Sequence, residues 1–192
     1  MSITVTPAQM SSLESTLLNT SGKTPLHERF RALFMLKAVN NDEVVKIVAE
    51  GTSSFLIKSW WIGLNDPSPL LKHELAYVLG QLQNPKAIPI LENVLVNPTG
   101  QHCSMVRHEA AEALGALSSE SSLELLRKYM GEGESSREVR ETCEIAVWKI
   151  EFDHSEEGKA RKQKWVDFDV LGRVFGVLRV SPTRLAIRCT RT

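Results

Sequence analysis

The chain has 192 residues, 42% of them hydrophobic and 24% charged, and its 23 basic residues balance its 23 acidic ones. This composition is typical of a globular protein, and the zero net charge excludes a globally basic surface for nucleic acids. No apolar run approaches the length of a membrane span, and the first ten residues do not resemble a secretory signal. Three cysteines without a spaced framework indicate the reducing cytoplasm, with the nucleus as the alternative.

Charge is unevenly distributed along the chain. Residues 1–151 carry 14 basic and 18 acidic side chains, whereas residues 152–192 carry 9 basic and 5 acidic ones. This shift predicts an α-helical body followed by an irregular basic tail, which is either disordered or foreign to the body. The tail is rich in arginine but lacks interleaved aromatic repeats, so we do not expect nucleic acid as a partner. We expect no membrane partner either, since no apolar run is long enough to span one.

In chain order, the sequence predicts a lead-in helix within residues 1–23 and paired helices over residues 24–151. The clearest helix has an apolar stripe at the 3.6-residue period, and Ser68-Pro69 supply its N-cap and first-turn proline. The stripe consists of Leu71, Leu75, Val78, Leu79 and Leu82. Asn84-Pro85 is predicted to stop this helix. Further helices are predicted over residues 86–96, from Val106 to Leu117, over 123–130 and over 138–150.

Four segments of the body superpose, each opening with a basic residue that is followed by the same apolar pattern. They begin at Arg29, Lys72, Arg107 and Arg140, so the successive offsets are 43, 35 and 33 residues. Helix pairs that repeat at a period in the thirties predict an all-α fold, an α-solenoid of the HEAT or armadillo kind.

The first offset is longer than the two that follow, and the excess falls in residues 51–65. This stretch contains the adjacent residues Trp60 and Trp61, which would leave an apolar patch if both were exposed. Two interpretations remain open. The stretch is either a functional insertion that binds a partner or, as we favour, extra sequence from an incorrect gene model.

A His-Glu dipeptide occurs at the same place in two successive repeats, as His73-Glu74 and His108-Glu109. An advance of about 100° per residue places His73 opposite the core stripe of its helix and Glu74 near the edge of that stripe. Stacked repeats would then bring both histidines to one face, with their backbones about 8–10 Å apart. Imidazole and carboxylate groups are ligands of non-haem iron, manganese and zinc. The alternative is that both dipeptides are solvated helical pairs.

The sequence gives weaker evidence of a functional role for the other candidate residues. His27-Glu28 lies two residues before the aligned register and is interpreted as a solvated helix start. Cys143 aligns with the apolar stripe, which predicts a small buried hydrophobic residue. Tyr77 follows His73 by four residues on the same face, where it orients the imidazole, contacts substrate or is a surface aromatic. No role is assigned to two histidines in predicted turns, His102 and His154.

Two segments, Leu70–Gln81 and Met105–Ala116, resemble the signature segments of deoxyhypusine hydroxylase. The segments around Arg29 and Glu141 resemble its flanking repeats, so the resemblance covers roughly residues 24–151 apart from the 51–65 stretch. It implies a HEAT-repeat monooxygenase with a di-iron centre. Such an enzyme uses O₂ to hydroxylate the deoxyhypusine side chain of a eukaryotic translation initiation factor, which completes hypusine.

The resemblance also implies roles for the His-Glu residues. His73, His108 and Glu109 look like iron ligands, and Glu74 looks like either a further ligand or the carboxylate that holds the cationic substrate amine. The family has four His-Glu motifs in two similar halves, and this sequence has two of them, too few to hold two irons in the family's manner. We therefore expect a truncated half or, as the alternative, self-association of two copies.

The last predicted helix, over residues 138–150, carries enough apolar surface to need a neighbour, which favours self-association of the isolated chain. A second class of function also remains open. Solenoids often serve as binding surfaces, so the alternative is a non-catalytic HEAT-repeat scaffold that binds a protein partner.

Overall fold

The computed structural model describes residues 5–39, 64 and 66–162. Apart from Leu64, the stretch at 51–65 lies outside the described residues, as does the part of the predicted tail from residue 163 onward. The chain divides into two compact units at the Glu151–Phe152 bond. The helices and contacts that follow belong to the first unit unless stated otherwise, except that residues 152–154 of the last helix belong to the second.

The part of the chain that the structure describes is helical and contains no strand. Its α-helices are α1 (Pro7–Leu17), α2 (Leu26–Val39), α3 (Pro69–Gln81), α4 (Ile88–Val96), α5 (Ser104–Ala116), α6 (Leu123–Tyr129) and α7 (Arg137–His154). Short 3₁₀ turns, Pro85–Ala87 and Glu120–Ser122, lead directly into α4 and α6. In the second unit, residues 156–162 are also helical.

Helix α3 begins where the sequence predicts. The Ser68 side chain accepts a hydrogen bond from the Leu71 backbone N–H at 3.3 Å, which satisfies one free donor of the first turn. α3 ends at Gln81 and so stops before Asn84-Pro85 as predicted, but it ends three residues before that dipeptide, which does not cap it. Asn84 instead caps the next element by accepting the Lys86 N–H at 3.0 Å, and Pro85 occupies a first-turn position, where its missing N–H costs nothing.

The core is a continuous set of aliphatic side chains between the paired helices. α1 packs on α2, and α5 packs on both α3 and α4, as expected for stacked helix pairs. Most of each predicted stripe is buried, while Leu82 and Leu117, the last residue of each stripe, are partly buried. The buried members are Leu71, Leu75, Val78 and Leu79 in α3, and Val106, Ala110, Ala113 and Leu114 in α5. Cys143 is also fully buried, as predicted.

The basic residue that opens each repeat ties neighbouring elements together. Arg29 donates to the Leu17 carbonyl at the end of α1 at 2.8 Å and forms an ion pair with Asp66, three residues before α3. In the third segment, Arg107 donates to the Leu95 carbonyl at the end of α4 at 2.9 Å. It also forms a two-pronged ion pair, at 3.0 and 2.5 Å, with Glu134, which lies three residues before α7.

The segment between these two uses a backbone acceptor instead of a carboxylate. Lys72 is 6% exposed, and its Nζ donates to the carbonyl of Gln101 at 2.7 Å, again three residues before the next repeat's helix. The basic residues therefore fix how α3 and α5 are joined to the loops beside them.

The apolar residues of α7 are divided between core and surface. Val139, Ala146, Val147 and Ile150 are buried, whereas Ile145 and Trp148 are each 65% exposed. Among the described residues, no helix combines the length and the apolar character needed to cross a bilayer.

Candidate metal centre

The two His-Glu pairs occupy equivalent positions on neighbouring helices. His73 is the fifth residue of α3, and His108 is the fifth residue of α5. Their ring centroids lie 5.7 Å apart, with the ring planes inclined by 52°. The two side chains therefore converge between adjacent helices of the solenoid, close enough for both imidazoles to bind one ion.

Glu109 joins the two histidines. Its Oε2 lies 3.0 Å from Nε2 of His73, and the residue is only 5% exposed. One ligand atom from each of His73, His108 and Glu109 lies within 4.8 Å of the other two. Glu74 lies on the other side of the His73 ring, with its Oε1 3.4 Å from Nδ1.

The histidines are more buried than their position on the helix predicts. The sequence places His73 opposite the core stripe of α3, yet its side chain is only 23% exposed. The reason is that the next repeat covers this face, since His108 and Glu109 of α5 lie directly against the His73 ring. Angular position on one helix does not reveal what a stacked neighbour covers.

The electrostatics of the cluster favour a bound cation. Burial, together with the nearby carboxylates of Glu112 and Glu74, raises the pKa of Glu109 from an ordinary value near 4.5 to about 7. Burial and the neighbouring His73 lower the pKa of His108, although Glu112 and Glu138 act in the opposite direction. A positive ion placed here would stabilise the ionised carboxylate without requiring either imidazole to carry a proton.

The donor set fits a metal on two grounds. First, Nδ1 of His73 is a buried nitrogen for which the described residues provide no hydrogen-bond partner, because the approach of Glu74 at 3.4 Å lacks the geometry of a hydrogen bond. Second, the group combines two imidazoles with a carboxylate and contains no thiolate. That combination suits iron or manganese and is unlike a cysteine-rich structural zinc site.

The remaining candidates have other surroundings. His27 and Glu28 are exposed in the first turn of α2, in agreement with the prediction of a solvated helix start. Tyr77 is 36% exposed, and the Lys37 ammonium lies 5.0 Å from the centre of its ring. His154 is exposed at the last position of α7 and not in a turn.

His102 has a structural role that the sequence did not reveal. It is 5% exposed, and its backbone N–H and carbonyl form hydrogen bonds of 3.0 and 2.9 Å with the Asn97 side chain. Burial, with Lys72 and Arg107 nearby, lowers the pKa of His102 to about 4. The ring is therefore neutral, and the backbone hydrogen bonds of this residue shape the loop before α5.

Comparisons with known proteins agree with this architecture. A family model described as HEAT repeats matches residues 57–148. A deoxyhypusine hydroxylase of Cryptococcus neoformans var. neoformans is 68% identical over 159 residues, which are 83% of this chain and 40% of the relative. The enzyme of the same name from Candida albicans is 45% identical over 157 residues, which are 82% of this chain and 47% of that relative.

A solved structure extends the similarity to three dimensions. Human deoxyhypusine hydroxylase, solved in complex with glycerol, matches with a TM-score of 0.62 and 38% identity over 76% of this chain and 44% of the human chain. The chain thus spans less than half the length of each of these three relatives. The predicted all-α HEAT-repeat fold is confirmed, and the chain belongs to the deoxyhypusine hydroxylase family.

Proposed function

We propose that this chain provides one iron-binding half of a deoxyhypusine hydroxylase. The observation that carries the proposal is the convergence of His73, His108 and Glu109, whose ligand atoms lie within 4.8 Å of one another in a chain 68% identical to a protein of that name. The reaction is the O₂-dependent hydroxylation of the deoxyhypusine side chain of a translation initiation factor. We propose that it takes place in the cytoplasm, with the nucleus as the alternative.

His73, His108 and Glu109 would hold the iron. Bound iron supplies the activation of O₂ that amino-acid side chains cannot provide. The chain's own contribution is to hold the ligands in place: the buried Glu109 side chain lies against His73 at 3.0 Å, and His108 reaches the same space from one residue earlier on α5. A site held by side chains on two packed helices is better fixed than one held on loops.

Glu74 is proposed either as a further ligand or as the group that binds the cationic amine of the substrate. Its side chain is 25% exposed beside the His73 ring, so a substrate side chain has access to the carboxylate. The charge of the surroundings supports a cationic substrate, because Glu112 and Glu138 also act on His108. A carboxylate next to the metal ligands would orient an alkylammonium chain by charge and hydrogen bonding.

Full activity is proposed to need a second half. The chain carries two His-Glu pairs and spans 40% of the Cryptococcus relative and 47% of the Candida relative. Further ligands would come either from the part of the relatives that this chain does not match or from a second copy of the chain. The same surface, without metal, would leave a protein-binding scaffold as the alternative function.

Two measurements test the proposal: the iron content of the chain, and activity after the second half has been added. The chain is purified without oxygen, loaded with Fe(II), dialysed and assayed for iron per chain. We expect iron to be retained, and hydroxylation of a deoxyhypusine-bearing factor to appear when the chain is mixed with the missing half of a full-length relative. Iron retention without turnover in the mixture would contradict the catalytic proposal. A chain that retains no iron would instead support the scaffold.

A further inference from the structure

Helices α3 and α5 approach each other most closely at a glycine. A Cβ atom added to Gly80 would lie 2.9 Å from both Cα and Cβ of Ala113. Real Cβ atoms essentially never come this close to another heavy atom, and the Cα of Ala113 belongs to the backbone and cannot rotate away. The two helices can therefore keep their present separation only because residue 80 has no side chain.

The same pair of helices carries the candidate metal ligands. Gly80 follows His73 by seven residues on α3, about 10.5 Å along the helix axis. Ala113 follows Glu109 by four residues on α5. Two contacts thus join α3 and α5, with His73 against Glu109 at 3.0 Å towards one end and Gly80 against Ala113 towards the other.

We infer that Gly80 is a positioning residue for the metal centre, because it sets the separation of α3 and α5 at which His73 reaches His108 and Glu109. The inference rests on the proposed metal-binding function. A side chain at position 80 has to push the helices apart by several tenths of an ångström to restore ordinary contact. Metal–ligand distances tolerate about 0.2 Å, so a displacement of that size disturbs a site whose ligands come from both helices.

The chain offers a matched control at the next helix interface. Gly115 is the twelfth residue of α5, as Gly80 is the twelfth of α3. A Cβ on Gly115 would lie 3.0 Å from Cβ and 3.1 Å from Cα of Ala146 on α7. The substitution Gly115→Ala therefore crowds α5 against α7, and the three atoms nearest to its added Cβ all belong to Ala146 and none to α3.

The experiment compares Gly80→Ala with Gly115→Ala in the full chain through two readouts. In metal-free protein, the ¹⁵N imidazole resonances of His73 report its contact with Glu109 at one fixed pH. Titration with Co(II) then reports affinity and, from the visible spectrum, ligand geometry. We expect Gly80→Ala to shift the His73 resonances and weaken Co(II) binding about 10-fold or more, the scale typical of changes behind metal ligands. Gly115→Ala should match the parent chain in both readouts.

If Gly80→Ala does not fold, paired variants replace the single ones. Gly80→Ala with Ala113→Gly keeps the 2.9 Å contact to the Ala113 Cα but removes its Cβ, and Gly115→Ala with Ala146→Gly is its control. The first pair should bind Co(II) more weakly than the second. Equal affinities and unshifted His73 resonances in the Gly80 variants would overturn the inference. A parent chain without metal binding would overturn the metal-site proposal, and unshifted His73 resonances would then still decide against the role of Gly80.

Discussion

In two repeats a basic residue is followed directly by a histidine: Lys72 by His73, and Arg107 by His108. The surroundings of the two basic residues, called here the basic side, differ from those of the two histidines, called here the histidine side. On the basic side, Lys72 donates to a carbonyl at 2.7 Å and Arg107 has both a carbonyl and a carboxylate as partners. On the histidine side, Nδ1 of His73 has no hydrogen-bond partner among the described residues, and the pKa of Glu109 is raised to about 7.

The comparison distinguishes, within one repeat, polar groups that stabilise the fold from polar groups that form a candidate binding site. The basic side pairs the charged groups of Lys72 and Arg107 with acceptors from within the chain and so stabilises the fold. The histidine side gathers carboxylates and imidazoles, and burial together with Glu112 and Glu74 opposes the ionised form of Glu109, an arrangement that is typical of a binding site. Substitutions on the two sides should therefore affect different measurements, and each side can be tested separately.

The largest effect is expected from removing an imidazole. His73→Ala or His108→Ala should lower Fe(II) or Co(II) affinity by about 100-fold or more, because each removes one of the proposed ligands of the site. His27→Ala should leave affinity unchanged, since His27 is exposed in α2 and outside the cluster. Equilibrium dialysis followed by metal analysis measures all three variants. An equal loss in all three would show that the histidines do not form a specific site.

The second effect concerns stability on the basic side. Glu134→Gln replaces the carboxylate that accepts both prongs of Arg107, and both side chains are largely buried, with 5% and 13% exposure. Loss of a charge-assisted pair of this kind should cost about 2 kcal/mol in the free energy of unfolding, measured by urea denaturation. The control is Glu151→Gln, because Glu151 pairs with Arg127 at about 50% exposure and should cost less than about 0.5 kcal/mol. Equal costs would show that the buried Arg107–Glu134 pair stabilises the fold no more than the exposed Arg127–Glu151 pair does.

Much of the fold can be predicted from the sequence, because helix periodicity and repeat offsets are local or regular signals. The apolar stripes of α3 and α5 and the cap at Ser68 occur where the pattern indicates. The pairing of His73 with His108 is also expected, since equivalent positions in stacked repeats lie side by side.

The features that the sequence did not predict depend on contacts between repeats. The partners of the basic residues are far away at unequal spacing, with Asp66 37 residues after Arg29 and Glu134 27 residues after Arg107. Lys72 uses a backbone carbonyl, which no side-chain pattern can indicate. The small residues at Gly80 and Ala113 look like ordinary helix positions until the two backbones are brought together. The helix stop predicted at Asn84-Pro85 is confirmed, but the sequence did not show that Asn84 caps the next element, because the same dipeptide can follow one helix or begin the next.

The third prediction applies the same isosteric change to the histidine side. Glu109→Gln removes a buried carboxyl whose ionised form is opposed by burial, Glu112 and Glu74. The metal-free variant should be as stable as the parent chain near neutral pH, or more stable by about 1 kcal/mol, because it no longer loses a proton in an unfavourable environment. Its metal affinity should fall, because a proposed carboxylate ligand is lost. Urea denaturation of the metal-free proteins gives the change in the free energy of unfolding, and metal titration gives the change in affinity. A destabilisation as large as that of Glu134→Gln would show that Glu109 supports the fold in the same way.

The smallest effect is the pH dependence that Glu134, on the basic side, gives to the stability of the fold. Hydrogen bonds from Arg107 and from the Ser136 N–H, with the charges of Arg107 and Arg140, hold the pKa of Glu134 below its ordinary value near 4.5, although burial opposes them. A carboxyl whose pKa is lower in the folded state stabilises that state above the unfolded pKa. This contribution is lost as the pH falls through the folded pKa.

The stability advantage of the parent chain over Glu134→Gln should therefore be constant above about pH 5.5 and shrink progressively below about 4.5, near the ordinary pKa of a glutamate. Glu109 is present in both proteins, so its own titration cancels in the difference. Urea midpoints measured on both proteins between about pH 6 and pH 3.5 provide the curve, and Glu151→Gln supplies the control. A difference that stays constant through this range would mean that Glu134 acts through its shape and not through its charge. The Arg107–Glu134 pair would then stabilise the fold through packing, and the electrostatic difference between the two sides would depend only on the carboxylates around the histidines.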